Sequence, residues 1–538
     1  MSIQSSTIAR PLDARLLNVD VLASVFDELE WDEYPVESRA TCARAARVCH
    51  SFASVALPKV WRWLPDFVPL WILLLHDHVP AVTPSKLELF SDARNQLISN
   101  VKDNKLYQDA SCWGRFLRYA SYVQRLDRVF FMIGEIDLLR SVIAHNDHCT
   151  FLPGLRRLAW MQIADSGTTM ASLSSTSLVE LHLHTGRMAS SEELMALLPS
   201  RILTLRKLVF ISVYNAWDGI TLVKLLTGMK HLQSLRLDSN YRLLHYSLLR
   251  QLFASLPLEH LYFYIANLND LTRPCLISAP HLRFLECKGA MADMVALLPH
   301  LQTPSLTTFK FESLFKETSG HVSSMCTILS QRPFSDTLKG ISLAMRLPFG
   351  PPFTLQVVDL LQNLLYPILS MSCLESLSFV YPRRVTRPIT ITDEDIATIA
   401  RALPNLKCLE VIVYAPEPVV SDHWVETDQS TPSPPPPLLS VASLVHIAQY
   451  SPHLEELHLQ ALRIDLEAVP VPTSPPTQSH PLQLLTLRDP DFEKHVDDMT
   501  GFLRFLDRLF PNLQSTGQRH AVPRSLQPQE QSYLYDLR

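Results

Sequence analysis

The sequence predicts an α/β repeat protein, a curved solenoid with strands on its concave face and helices on its convex face, preceded by a small all-α module. Three observations support this prediction. A short aliphatic phrase recurs along most of the chain, helical spacing alternates with it, and amphipathic segments stand near the start. At 538 residues the chain is also too long for one ordinary compact domain.

The recurring phrase has an aliphatic or aromatic residue at its first, fourth and sixth positions, as in SLVELHL and HLQSLRL. The stretches that contain it begin at Gly154, Ser177, Thr204, His231, Pro257, His281, Ser305, Thr337, Cys373, Asn405, His453 and Pro481, with a truncated copy at Asn512. The mean step is about 30 residues, and the early steps are close to the leucine-rich repeat length of about 20–29. The fourth and sixth positions have the period of a strand, so both point to one face.

Helical spacing fills the intervals between the phrases. Residues 194–198, 248–256 and 396–403 each place apolar side chains at i, i+3 and i+4, and each run is followed by a proline. A helix that ends at a proline and leads into a short strand is one supersecondary unit. Such a unit buries its apolar face only by stacking on its neighbours, which predicts the solenoid.

The domain boundaries follow from changes in composition. We expect a disordered segment over 1–15, a helical module over 16–65, helices that pack on the first repeat over 66–149, and the leucine-rich repeat array over 150–516. Proline-rich insertions interrupt the array at about 416–439 and 469–481. Their composition favours extended, disordered loops, with a proline-ligand or phosphorylation site as the alternative. The tail, 517–538, is expected to be disordered.

Composition and spacing give little support to several function classes. The net charge of −5 creates no global field that attracts nucleic acid or anionic lipid. The longest apolar block, residues 67–75, is too short to span a bilayer and predicts a buried helix. The 13 glycines never pair closely enough for a phosphate-binding or nucleophile-elbow loop. The first residues contain no continuous apolar run, so we expect reduced cysteines and a cytoplasmic or nuclear location.

The cysteines and histidines indicate no metal, cofactor or catalytic site by their spacing. The sequence contains neither CxxC nor HExxH. His145, His148 and Cys149 have no matching half at finger-like spacing. Cys49 and His50 are neighbours in sequence, and on a helix they would point about 100° apart, which is wrong for a nucleophile and its base. These spacings nominate no catalytic residue, and we expect the chain not to be an enzyme.

The N-terminal module has two apolar stripes. One runs along 17–29, and the other combines Val48, Cys49, Phe52 and Val55 on a helix that Pro58 is expected to end. Two tryptophans follow the proline. A module of about 50 residues offers a small core, so this apolar surface exceeds what it can bury alone. The excess either packs against the helices after residue 65 or forms a surface for a partner.

The module resembles the F-box motif. Residues 17–22 (LNVDVL), 25–26 (VF), 29, 48–52 (VCHSF) and 60–62 (VWR) match its order of pieces: an opening Leu-Pro-x-Glu-Ile-Leu, a Val-Cys-basic-x-aromatic helix and a closing Leu-Trp. The resemblance covers about 50 residues. Together with the repeats, the whole chain resembles the F-box/leucine-rich-repeat proteins of fungi.

This resemblance departs from the motif at two positions and implies a function. Asn18 stands in place of the usual proline and Asp20 in place of the usual glutamate, and asparagine can still begin a helix by capping it. The resemblance implies a substrate receptor of an SCF-type (cullin–RING) ubiquitin ligase that binds a Skp-type adaptor and an unknown substrate protein. The adaptor-binding residues that it implies are Leu17, Val21, Leu22, Val25, Phe26, Val48, Phe52 and Trp61. Part of this set must form the module's own core, and the sequence does not divide the two.

Substrate contact is expected on the strand face that carries the variable positions of the phrase. The candidates there are His182, Arg236, Asp238, Tyr262 and Tyr264, among the further polar residues Glu180, His184, His260, Glu286, Lys288, Lys310 and Glu312. Two other classes stay open at this point. One is a leucine-rich scaffold whose F-box-like part is only a cap, and the other is an enzyme whose site combines distant residues.

Overall fold

The structure is a computed structural model with two compact units, Met1–Tyr264 with Ile277–Leu282, and Ile265–Leu276 with Arg283–Arg538. It describes residues 19–28, 35–75, 91–127, 134–147, 149–162, 167–173, 175–185, 203–212, 219–239, 246–265, 276–314, 319–331, 333–345, 365–381, 391–413, 439–459, 462–463, 480–487 and 499–514. Several predicted features lie outside these ranges. They are Leu17, Asn18, His148, the helical run at 194–198, residues 416–438 of the first insertion, residues 469–479 of the second insertion, and the segments 1–15 and 517–538.

The first unit begins with three helices, α1 (Val19–Asp27), α2 (Pro35–Ala45) and α3 (His50–Arg62). Four more helices follow before the main repeats: α4 (Val68–Leu74), α5 (Ser91–Asp103), α6 (Ala110–Ala120) and α7 (Glu135–His145). The repeats of this unit add α8 (Gly167–Leu173), α9 (Gly219–Thr227) and α10 (Tyr246–Ser255).

The strands of the first unit form a parallel ladder in chain order. They are β1 (Trp63–Leu64), β2 (Arg125–Leu126), β3 (Arg157–Gln162), β4 (Glu180–Thr185), β5 (Lys207–Ser212), β6 (Ser234–Ser239) and β7 (His260–Ile265), with the short β8 (Ile277–Ser278) after them. Each of the first six pairs in parallel with the next, which joins β1 to β7 in one ladder.

The second unit repeats the same plan. Its main strands are β9 (Phe284–Gly289), β11 (Thr308–Ser313), β12 (Gly340–Met345), β13 (Ser376–Tyr381), β14 (Cys408–Val413), β16 (Glu456–Leu459) and β18 (Leu484–Leu487), paired in parallel in that order. Short strands are β10 (Leu301–Gln302), β15 (Leu439–Ser440) and β17 (Leu462–Arg463). The helices are α11 (Met291–Leu297), α12 (Ser319–Gln331), α13 (Asp393–Ala402), α14 (Val441–Tyr450) and α15 (Met499–Leu509).

The register of the strands stacks equivalent positions of the phrase. In the first unit Leu158 pairs with Leu181, Leu181 with Leu208, and Leu208 with Leu235. These leucines are buried, and burial alternates along strands such as β9 and β11. We call the opposite side of each sheet the variable face, because it carries the variable positions of the phrase. Every full copy of the phrase carries a strand, so the predicted mixed α/β repeat is confirmed; the curvature of the array stays a prediction.

Several helical predictions are also confirmed. The block at 67–75 contains α4, whose Trp71 and Leu74 are fully buried. The runs at 248–256 and 396–403 correspond to α10 and α13, and their apolar residues lie in the core. Within the described ranges the structure has no helix that meets the length and hydropathy of a membrane span.

The N-terminal module differs from the sequence prediction in two ways. The second stripe is not one helix: α2 ends at Ala45, Val48 lies in the following turn, and Cys49 is the extended residue before α3. Pro58 does not end α3, which continues to Arg62. A proline removes one backbone hydrogen bond, and here the packing of the last turn, which includes Val60 against the module core, outweighs that loss.

The parallel ladder also begins earlier than the predicted array. Trp63 and Leu64 form β1, which pairs with β2, and β2 pairs in turn with β3. Both strands have only two residues, so each gives a weak pattern in the sequence. The segment over 66–149 is therefore not only helical, because β2 belongs to the ladder.

Candidate functional site

The core of the three-helix module contains part of the set that was expected to bind an adaptor. Leu22 and Phe26 are buried together with Cys42, and Phe52 packs against them. The rings of Phe26 and Phe52 meet edge to face with their centroids 6.1 Å apart. These three apolar side chains hold α1 against α3 and stabilise the module instead of presenting a free surface.

The exposed part of the set consists of valines. Val21 is 58% exposed and Val25 is 57% exposed. They stand one turn apart on α1, so they share a face of that helix. We call this pair the valine surface. Val48, in the turn before α3, is 68% exposed. The structure thus divides the implied residues into a core set and an exposed set, which the sequence does not do.

The tryptophans near the end of α3 pack on the segments that follow them. The Trp61 ring lies 4.8 Å from the Tyr119 ring, centroid to centroid. The Trp63 Nε1 atom donates a hydrogen bond to Asp127, and the Arg125 guanidinium lies 5.8 Å from the Trp63 ring centroid. The sequence left open whether the tryptophans pack against the segment after residue 65 or form a surface for a partner. Both tryptophans pack within the chain.

The variable face of the first unit brings three of the five substrate candidates together. The Arg236 guanidinium lies 4.4 Å from the centre of the Tyr262 ring. Its Nη2 atom donates to Asp238 Oδ2 at 3.0 Å, and the Tyr262 hydroxyl is 3.5 Å from Asp238 Oδ1. Tyr262 is only 6% exposed, so it supports the arginine and is not itself an open aromatic anchor. Tyr264 is half-buried on the same strand.

His182 belongs to a different cluster on the same face. Its Nε2 atom lies 2.7 Å from Glu180 Oε1, and Lys207 Nζ lies 2.7 Å from the same oxygen. Val209 of β5 stands between His182 and Arg236 in the register, which separates the two clusters. Burial lowers the pKa of His184 to about 4, with the charge of His182 acting in the same direction and that of Asp238 opposing it.

Glu180 makes the stability of this face depend on pH. Burial raises the pKa of the Glu180 carboxyl, but hydrogen bonds from His182 and Lys207 and the charge of Arg157 outweigh burial and lower it to about 2. A lowered pKa in the folded state stabilises the fold above the unfolded value of 4.5, and this contribution disappears as the pH falls towards 2.

We therefore expect Glu180→Gln to destabilise the chain at neutral pH and to have progressively less effect below about pH 4.5. Denaturant unfolding of wild type and variant across this range measures the difference. Asp103→Asn, which removes one carboxylate at an exposed position of α5, serves as the control and should change stability little. An unchanged difference at all pH values would contradict the assignment to Glu180.

The variable face of the second unit carries further polar residues. Lys288 Nζ lies 3.2 Å from Glu312 Oε2, and Lys310 Nζ lies 5.4 Å from the centre of the Phe284 ring. Three of the further polar candidates therefore make contacts on this face: Lys288 and Glu312 with each other, and Lys310 with the Phe284 ring. The sequence did not indicate the cluster further along this face, where Cys408, Glu456 and His458 converge.

Of the two histidines considered as metal ligands, His145 and His148, the structure describes His145. The His145 ring packs edge to face on Trp113 and on Tyr107, with centroids 4.9 and 5.5 Å apart. His145 thus contributes to aromatic packing at the end of α7.

Fold and surfaces together define a mixed α/β repeat protein that carries a three-helix module at one end of its sequence. No known protein family matches the chain, and no curated protein matches it. Among solved structures, the chain is similar to one in the crystal structure of the Rad7 and Elc1 complex in yeast. The TM-score is 0.30 at 13% sequence identity, and the match covers 73% of this chain and 88% of that chain.

Proposed function

We propose that this protein is the substrate-recognition subunit of an SCF-type ubiquitin ligase in the cytoplasm or nucleus. In this proposal the three-helix module binds a Skp-type adaptor, and the variable face of the repeats binds a substrate protein. The protein is not itself an enzyme. It acts by proximity, since tethering raises the effective concentration of substrate lysines near the ubiquitin thioester.

The observation that supports the proposal most strongly is the valine surface on a module whose sequence resembles the F-box. Leu22 and Phe26 point into the module core, whereas Val21 and Val25 remain more than half exposed on the same short helix. Exposed apolar side chains that share one face are typical of surfaces that another protein covers. The F-box resemblance supplies the identity of that partner, a Skp-type adaptor.

The variable face of the first unit is suited to a protein substrate with charges of both signs. The cation of Arg236 is held between Asp238 and the Tyr262 ring, so its orientation is already set before a partner binds. Glu180 and Lys207 form a second ordered pair nearby on the face. Such preorganised groups lose little side-chain entropy on binding. Their mixed signs do not suit a polyanion such as nucleic acid.

The adaptor interaction is tested by a charge placed on the valine surface. We expect Val21→Asp/Val25→Asp in the full chain to weaken binding of a purified Skp-type adaptor by about a hundredfold or more, because two carboxylates would be desolvated in an apolar interface. Both positions are exposed, so the module should keep its fold. Calorimetric titration measures the affinity, and circular dichroism checks the fold.

The matched control places the same two charges on exposed positions of α2, as Ala40→Asp/Ala43→Asp, and should bind like wild type. If the wild-type chain does not bind the adaptor, the ligase-receptor function is wrong, and the alternative is a leucine-rich interaction scaffold with a helical cap. If the adaptor binds, affinity purification with the proteasome blocked would identify the substrate. If it does not bind, the same purification would identify the partners of the scaffold.

A further inference from the structure

Three side chains with metal-binding atoms meet on the variable face of the second unit. Cys408 lies on β14, and Glu456 and His458 lie on β16. The register pairs Cys408 with Glu456, and residues two apart on a strand point to the same face. The thiol sulfur, a carboxylate oxygen and a ring nitrogen all lie within 4.8 Å of one another.

The histidine of this cluster is poorly satisfied by hydrogen bonds. Its Nδ1 atom is buried and has no hydrogen-bond partner in the described part of the chain. Its Nε2 atom lies 3.7 Å from Glu456 Oε2, which is too long for a hydrogen bond. The His458 side chain is only 14% exposed. A buried polar group in this state calls for a ligand such as an ion.

We propose that Cys408, Glu456 and His458 bind a Zn²⁺ ion, with a water molecule in the fourth tetrahedral position. Zinc is a borderline ion that takes sulfur, nitrogen and oxygen ligands together, whereas Mg²⁺ and Ca²⁺ require oxygen ligands. Three protein ligands and one exchangeable position make an open site on the surface that the proposed substrate would cover.

The surrounding charges favour a divalent cation. Glu410 stands directly opposite His458 in the register, and its Oε2 atom accepts a hydrogen bond of 2.6 Å from the Ser378 hydroxyl. This carboxylate and that of Glu456 place two negative charges beside the cluster. Glu410 would act as a positioning residue and electrostatic partner, since the ligand set is complete without it.

The geometry needs only a small adjustment. Tetrahedral zinc, with bonds of about 2.0 to 2.3 Å, holds its ligand atoms about 3.3 to 3.8 Å apart. The three ligand atoms lie within 4.8 Å of one another, so no separation has to shorten by more than about 1.5 Å. The Glu456 side chain is 52% exposed and is free to turn inward. Burial and the charge of Glu456 raise the pKa of the Cys408 thiol to about 12. When zinc binds, the thiol therefore releases its proton to solvent, and the thiolate donates an electron pair to the ion.

The experiment titrates the metal-free full chain with Co²⁺, which reports a bound thiolate by a charge-transfer absorption band, and then displaces Co²⁺ with Zn²⁺. We expect one ion per chain and a band that Cys408→Ser abolishes. His458→Gln and Glu456→Gln should each weaken binding by about tenfold or more. Wild-type-like circular dichroism of the metal-free variants separates loss of a ligand from loss of fold.

Cys373→Ser is the matched control. Cys373 is a half-buried cysteine three residues before β13, and its sulfur donates to the backbone carbonyls of Ser335 and Leu338 at 3.1 and 3.4 Å. This variant should retain the band. A band that survives Cys408→Ser, or the absence of a band in wild type, overturns the proposal. Adaptor binding is measured separately, so the two proposals fail independently.

Discussion

Gly289→Ala is expected to destabilise the second unit by about 3 kcal/mol or more, and to prevent folding of that unit if its stability is modest. Gly289 ends β9 with φ +143°, a conformation that L side chains rarely adopt. A methyl group there would lie 1.8 Å from the carbonyl oxygen of Ile265 and 2.9 Å from its Cγ2 atom. The oxygen belongs to the backbone, so it cannot rotate away as a side chain would.

The same chain provides a matched control for this substitution. Gly340, in β12, has no positive φ, and a methyl group there would be 3.4 Å from the nearest atom, Thr308 Cγ2. We expect Gly340→Ala to change stability by less than about 1 kcal/mol, because the side chain fits and the unfolded chain loses freedom. Denaturant unfolding of both variants measures the contrast. Equal effects at the two positions would mean that the clash at Gly289 is relieved by backbone movement.

Arg94→Met is expected to destabilise the helices between the module and the repeats by about 3 to 5 kcal/mol, since it removes the cation beside a buried carboxylate. Glu135 is fully buried at the start of α7. The Arg94 Nη2 atom donates to both of its oxygens, at 3.0 and 3.2 Å, and the Trp71 Nε1 atom donates to one of them at 3.1 Å. Arg94 also donates to Asp66, two residues before α4, so one guanidinium joins α5, α7 and the turn that leads into α4.

The double variant Arg94→Met/Glu135→Gln separates the buried charge from simple packing. Glutamine keeps an oxygen for Trp71 and carries no charge, so we expect it to recover much of the stability lost by Arg94→Met. Hydrogen-exchange mass spectrometry of peptides from α4, α5 and α7 reports the local stability directly. If the double variant is no better than Arg94→Met, packing of the arginine stem, and not the uncompensated carboxylate, explains the loss.

The repeat array could be predicted because its pattern is local and recurs many times. Each copy of the phrase needs only a few aliphatic residues at strand spacing, and each full copy lies on a strand. The two earliest strands escaped the prediction, since β1 and β2 contribute two residues each. The path of α3 was also mispredicted at Pro58, where tertiary packing outweighs an intrinsic preference for ending the helix.

The candidate surfaces depended far more on stacking than on local pattern. The predicted stripe on α1 combines Leu22 and Phe26, which are core, with Val25, which is exposed together with its neighbour Val21. Helical spacing alone does not say which face another helix covers. The packing of Trp61 and Trp63 likewise depends on Tyr119 and Asp127, which lie more than fifty residues further along the chain.

By itself, the sequence determined the repeating strand–helix unit, its period and the F-box-like order of residues at the start, because these are properties of neighbouring positions. Only the tertiary structure decided which apolar residues remain exposed and which polar residues meet. Cys408 and His458 belong to two phrases, NLKCLEV and HLEELHL, that no metal-binding spacing connects. Parallel pairing of β14 with β16 places the two phrases side by side, so the cluster exists only after the repeats have stacked.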